Sequence, residues 1–341
     1  MLAAGHGASG RLPAAAATVT VAGMSAFNRA LLGLAAWSVF VIAHVSDLRG
    51  EAWAPALLLL AALVLVPLAL ELLADEDESA PVDRWFGVVS QVQLPAALLL
   101  GLACWLPPGI AAAAAALPWV LLTFLFAAIG GVRLRRGGVA REMDRLCADV
   151  ALGFSAIGGV WVLADRAGYS PLGFSPAIVA LTAVHFHYAG LILPLVAGLV
   201  QREVFFLRLA SRAAVGVILG VPAVAVGLTV TQLGWGPSLE RAAGCGLALA
   251  GMAVAILQVR IALEGRFSPP CRILLGIGGA SLFIGMVLAA GYALRGTFAG
   301  SAGLDVPLMR LIHGSINGLG FGLCSVLGWR QLGRERRTAG G

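Results

Sequence analysis

Leu181-Thr182-Ala183-Val184-His185-Phe186-His187-Tyr188-Ala189-Gly190 lies midway along an apolar run covering residues 176–200. A run of that length crosses a bilayer, which takes about 20 residues of α-helix. Two imidazoles and a phenol within hydrocarbon are expensive unless they face protein, water or a ligand. The stretch therefore reads as a transmembrane helix that carries the candidate centre of function.

Outward from it, further apolar runs cover residues 27–45, 52–74, 88–106, 110–131, 146–163, 213–233, 242–262, 273–294 and 306–329. Together they predict an all-α, polytopic bundle of about ten spans. Pro107-Pro108-Gly109 separates the third and fourth spans as a tight turn. The composition agrees: 60% of residues are hydrophobic and only 12% charged, against about 25% charged in soluble domains. A water-soluble protein of this make-up would expose large apolar patches, so the bilayer is its solvent. The expected organisation is a disordered tail over residues 1–26, one transmembrane domain over 27–330 and a basic cytoplasmic tail over 331–341. The first segment lacks the charged start and cleavage site of a signal peptide.

The formal charge of +6 comes entirely from arginine. A basic balance suits nucleic acid, but these arginines lie in loops between apolar runs, where they set topology, and nucleic acid is excluded as a partner. The dense loops hold Arg133, Arg135, Arg136, Arg141 and Arg145, then Arg202, Arg208 and Arg212, then Arg266 and Arg272. Arg330, Arg334, Arg336 and Arg337 follow at the end. The positive-inside rule makes these loops cytoplasmic and predicts both termini inside. The acidic run at residues 75–78 falls on the same side and reads as a solvated loop. The extracytoplasmic loops then include residues 168–171, 234–237 and a glycine- and serine-rich stretch at 296–303. Five cysteines are scattered without a CxxC pair and read as small buried hydrophobes.

Orientation sorts the intramembrane polar residues by depth. His44, Asp47, Thr182, His185, His187, Tyr188, Tyr292, Arg310, His313 and Asn317 fall in the outer half or near the midplane. Glu71, Gln91, Gln93, Asp149, Gln258 and Arg260 fall in the inner half. On an α-helix, residues two apart diverge by about 200°. His185 and His187 therefore cannot chelate one metal from a regular helix; that needs a kink or a π-bulge. His185 shares a face with Thr182 and Tyr188, while His187 points elsewhere. In the last span Arg310, His313 and Asn317 form one stripe, and Gly314, Gly318 and Gly322 form a ridge that admits a close neighbour. A guanidinium there wants an anion, for which Asp47, Asp305 or a substrate would serve. Asp149 and Arg260, with Glu71 beside them, are expected to form a structural ion pair or a proton route. Trp161 and Tyr292 read as interfacial aromatics that border the pathway. No GxSxG, Walker A, dinucleotide fingerprint or HExxH is present.

The run LTAVHFHYAG at 181–190, with Leu193-Pro194 and Ala197-Gly198 after it, resembles the YndJ-like family of bacterial membrane proteins. His313-Gly314 and Asn317-Gly318-Leu319-Gly320-Phe321 resemble that family's C-terminal motif, and Trp161 through Arg166 is also similar. The resemblance runs from about residue 145 onward. It implies a membrane bundle with His185, His187, Tyr188, His313 and Asn317 as signature positions, and carries no settled activity.

Two functions from different classes follow. One is a multi-pass cell-membrane enzyme in which His185, His187, Tyr188, His313, Asn317 and Arg310 line a pocket. There they act by acid and base on a lipophilic small molecule, in a cyclisation, isomerisation or hydrolysis. The other is a proton-coupled transporter, with His44, Asp47, Thr182, Trp161, Tyr292, Glu71 and Asp149 along its path. A haem- or metal-binding protein is a third reading; no metal or cofactor is assigned. Besides substrate, the expected partner is membrane lipid. A cavity closed at its inner end favours the enzyme, and one reaching Glu71 and Asp149 favours transport.

Overall fold

The computed structural model describes residues 23–48, 50–74, 80–138, 142–204, 207–295, 297 and 304–340. Most of the expected N-terminal tail, the acidic run at 75–78 and nearly all of the glycine- and serine-rich stretch at 296–303 lie outside the described residues. Among the described residues there is no strand. Ten helices among the described residues are long and apolar enough to cross a membrane: α1 Ala26–Ala43, α2 Trp53–Leu73, α3 Arg84–Trp105, α4 Ile110–Gly137, α5 Met143–Ala167, α6 Pro176–Glu203, α7 Arg208–Gln232, α8 Ser238–Leu263, α9 Pro269–Ala293 and α10 Val306–Thr338. The chain is thus an all-α multi-pass membrane protein.

Helix ends follow local chemistry. Ser25 caps α1 by accepting from the Asn28 amide at 3.2 Å, and Asp305 caps α10 by accepting from the Leu308 amide at 2.8 Å. Proline opens α6 and α9, where its missing N–H is no loss. Gly168 closes α5 in the left-handed region, φ +71°, which a side chain disfavours. The segment expected as a basic tail is helical and continues α10. Ion pairs hold its last turns: Arg330 to Glu71 at 2.7 Å, Arg337 to Glu71 at 3.8 Å and Arg336 to Glu203 at 2.5 Å.

Helix α2 is the axis of the bundle. Its sequence, WAPALLLLAALVLVPLALELL, is apolar on every face, and such a helix is buried rather than amphipathic. Of its apolar window 89% is buried, more than in any other span. The centre of a membrane offers no water to a backbone carbonyl, so freed carbonyls must find protein donors. Pro67 has no N–H to give to the turn before it, and α2 widens into a π-helical segment at Ala61–Leu65. Gln93 of α3 supplies a donor to the Ala62 carbonyl at 2.8 Å. Trp37 of α1 donates to Ala56 O at 2.7 Å, Tyr188 of α6 to Leu57 O at 2.9 Å and Arg133 of α4 to Leu73 O at 2.8 Å. Four flanking helices are thereby hydrogen-bonded to the main chain of the fifth.

Two other helices carry π segments, α6 at Phe186–Ile192 and α10 at Ile316–Leu323. The three widened segments touch one another, with α1 and α3–α5 flanking one side and α7–α9 the other. The glycine ridge of α10 faces α2 and α6. A Cβ on Gly314 or Gly318 would stand 2.8 Å from the Leu57 side chain, and one on Gly322 would stand 3.0 Å from Leu65 and 3.2 Å from Tyr188.

Candidate functional site

A cavity of about 290 Å³ opens between α2 and α6–α10. Its volume lies near the lower end of small-molecule sites, about 300–1,000 Å³. The walls are aliphatic and aromatic, from Leu57, Leu193, Leu247, Leu282, Met286 and Phe321 among others. Polar groups enter at set heights: Glu240, Tyr292, Thr182, Arg310, His185, His313, Asn317 and Tyr188.

His185 is the last residue of α6 before its π segment, and His313 stands three residues before that of α10. Their rings face each other with centroids 6.3 Å apart and planes 21° apart. His185 Nδ1 lies 2.9 Å from Leu181 O, and His313 Nδ1 lies 2.9 Å from Gly285 O. A carbonyl can only accept, so Nδ1 carries a proton in both rings, and in the neutral imidazole Nε2 keeps its lone pair. Asn317 Nδ2 donates to the His313 main-chain carbonyl at 2.9 Å and lies 3.3 Å from Nδ1 of the ring, packing against the second imidazole. Gly285 makes this possible twice over, with its carbonyl as acceptor and its missing side chain as space, since a Cβ there would collide with the Asn317 amide. Tyr188 reaches the cavity wall while its hydroxyl donates to Leu57 O. Thr182 lines the wall but donates to Ile178 O at 2.7 Å within its own helix.

His187 is placed elsewhere. Even with the wide turn of a π segment, positions two apart stay on opposite sides of α6. Its ring is buried against α4 and α5, where Trp119 Nε1 donates to His187 Nε2 at 3.0 Å and His187 Nδ1 bonds Ala183 O at 2.8 Å. Gly158 leaves room for it, as a Cβ there would lie 3.1 Å from the ring. With both nitrogens occupied, His187 has no lone pair to offer a metal or a substrate. Hence the HxH pair does not meet at one point.

The outlying candidates also stand apart from the cavity. His44 stacks on Phe40 with centroids 4.2 Å apart, meets Trp105 edge-on at 4.8 Å, and bonds Phe40 O. Asp47 accepts from the Ala52 amide at 3.2 Å ahead of α2. Trp161 packs on Phe174 at 6.0 Å. For Asp149 the expected partner was Arg260, and the ion pair seen among the described residues is a different one. Asp149 pairs with Arg133 at 3.0 Å, both side chains being fully inside the protein, because α4 and α5 form an antiparallel hairpin that faces these two residues at the same level. Glu71 joins Arg330 instead. Neither Glu71 nor Asp149 lines the cavity. Beneath it, Gln258 donates to Leu275 O at 3.0 Å and to Ser325 Oγ at 2.8 Å, and accepts from Trp329 Nε1 at 3.2 Å, which closes α8, α9 and α10 together.

One polar lining residue carries no clear signal in the sequence. Glu240 is the one carboxylate in the lining among the described residues, and it is buried. It sits in the first turn of α8, where acids are common because they suit the helix dipole. Its only signal was the nearness of an apolar span.

The lining runs from Leu57 to Phe321 along the chain, and the profile of the family described as YndJ-like protein matches residues 56–321. The chain belongs to the YndJ-like family. The match reaches well beyond the residues that first carried the resemblance, back to the start of α2, and takes in every element of the cavity. The chain is similar to a relative described as "Uncharacterized membrane protein YndJ" from Bacillus subtilis (strain 168), with 29% identity over 223 residues. That alignment covers 63% of this chain and 38% of the relative, so the chain spans well under half the length of that YndJ protein. No solved structure matches.

Proposed function

We propose that the cavity is the active site of a membrane enzyme that moves protons on a lipophilic small molecule. The observation that carries this reading is the facing of His185 and His313, each with Nδ1–H held by a main-chain carbonyl. Two neutral imidazoles with Nε2 lone pairs in an apolar chamber are arranged for general acid–base chemistry. One Nε2 takes a proton from a carbon or oxygen of the substrate, and the resulting imidazolium, or its neighbour after exchange, returns a proton at a second position. The proton count balances and no electrons leave, which fits isomerisation or cyclisation. Arg310 lines the same cavity and suits negative charge that develops meanwhile, an effect strengthened where water is scarce. Separation of the cavity from Glu71 and Asp149 supports this reading over a path through the membrane.

Transport is the second reading, and one observation favours it. The three central helices are all widened at mid-span, and interrupted helices at the midplane are a device of transporters.

The test is a comparison of lipid extracts from cells producing the native chain, His185→Ala or His313→Ala. Loss of a general acid or base slows turnover about 10²–10⁴-fold. The enzyme reading expects an apolar compound altered by the native chain and restored by both variants. An alteration that persists in both variants contradicts it.

A further inference from the structure

Arg295 follows the last turn of α9, half-exposed, at the same end of the cavity as Glu240 and Tyr292. Its Nη2 lies 2.9 Å from Glu240 Oε1, and its guanidinium carbon lies 3.9 Å from the centre of the Tyr292 ring. Nη1 donates to Tyr292 O at 2.9 Å. A cation is thus held between a carboxylate and an aromatic face. Glu240 and Tyr292 both line the cavity, whereas Arg295 does not. Carboxylate plus aromatic face is the chemistry that recognises an alkylated ammonium group.

We infer that Glu240 and Tyr292 form a subsite for the ammonium head of a lipophilic amine, and that Arg295 occupies it in place of that ligand. Tyr292 lies seven residues along α9 from Gly285, whose carbonyl holds His313, so about 10 Å separates the subsite from the imidazole pair. Arg310, one helical turn before His313, lies between them at about 5 Å from the imidazole along α10. The apolar tail then extends between α7 and α9 towards the histidines. Glu240 is buried, so its carboxylate is unlike a surface acid that water would screen.

The inference rests on the cavity being a ligand site, and not on what the histidines do there. The probe is radiolabelled decyltrimethylammonium, with decanoate as the anionic counterpart. Both are measured on the full chain in phosphatidylcholine nanodiscs, against empty discs. Saturable binding of the ammonium probe over decanoate is expected, tightened about tenfold in Arg295→Ala, where the competing cation is gone, and weakened about tenfold in Tyr292→Leu. Glu240→Gln, with folding checked by its melting temperature, loses the preference. Equal binding of the two probes, or a preference unchanged in Tyr292→Leu and Glu240→Gln, overturns the subsite. That outcome leaves the acid–base reading untouched, because His185→Ala and His313→Ala test it separately.

Discussion

His185 and His313 lie 128 positions apart in the chain, yet their imidazoles face each other at 6.3 Å because α6 and α10 meet at their widened segments. Leu181 O and Gly285 O set the same tautomer in both rings. Exchange of either for glutamine keeps a polar side chain of similar reach but removes the base. Each variant is expected to keep its stability to within about 1 kcal/mol, since the glutamine amide can still donate to the carbonyl that holds the imidazole. Thermal unfolding in nanodiscs, run beside the lipid-extract comparison, checks that loss of chemistry is not loss of fold.

His187 gives the opposite pattern. His187→Leu removes the acceptor of the Trp119 indole and leaves a buried N–H unpaired, which costs about 1–3 kcal/mol. A lowered melting temperature with the lipid-extract phenotype intact is expected. A variant of normal stability that lacks the phenotype counts against the structural role.

The Arg133–Asp149 pair separates the two proposed functions. Asp149→Asn breaks a buried ion pair, expected to destabilise by about 3–5 kcal/mol. Under the enzyme reading, whatever protein folds at low temperature still acts on its substrate. Well-folded Asp149→Asn with the activity abolished instead places this carboxylate on a proton path.

Adjacent glycines in α4 give an internal control for helix packing. A Cβ on Gly130 would stand 2.5 Å from Asp149 O and 3.0 Å from Leu152 Cβ, whereas Gly131 has nothing within 4 Å. Gly130→Ala is expected to destabilise by about 1–3 kcal/mol through forced separation of α4 from α5. Gly131→Ala should be neutral or stabilising by up to about 1 kcal/mol, from alanine's better helix propensity. Chemical or thermal unfolding of the two variants side by side distinguishes them.

At the arginine-rich end, Glu203 is fully inside the protein and binds Arg336 at 2.5 Å and Arg266 at 3.8 Å. Glu203→Gln removes the charge that holds the last turns of α10. Faster amide hydrogen exchange over residues 331–338 is expected, with exchange in α2 unchanged.

The spans were legible because they follow from hydrophobic pattern alone, and the same pattern accounts for the burial of α2 that the structure shows. A run such as LLLLAALVLV has no polar face to turn outward. His185, Tyr188, His313 and Asn317 were legible as a group because imidazoles and amides in hydrocarbon demand partners. Partner choice was not legible. Trp119 and His187 are 68 residues apart, and Arg133 looked like one more loop arginine until the α4–α5 hairpin brought it to Asp149. The π segments were hidden as well, since a widened turn shows itself in the pairing of carbonyls and not in residue type. Glu240 was hidden by its ordinary place at a helix start.

Residues 185 and 313 share one chamber that residue 187 does not enter. Cysteine pairs test this in a chain whose native cysteines are replaced by alanine. A short, apolar, bis-thiol-reactive crosslinker is applied to the protein in nanodiscs, and the bridged peptides are read by mass spectrometry. The His185→Cys/His313→Cys chain is predicted to be bridged within the monomer, and the His187→Cys/His313→Cys chain to remain unbridged. Bridging of the second pair, or none in the first, contradicts the shared chamber.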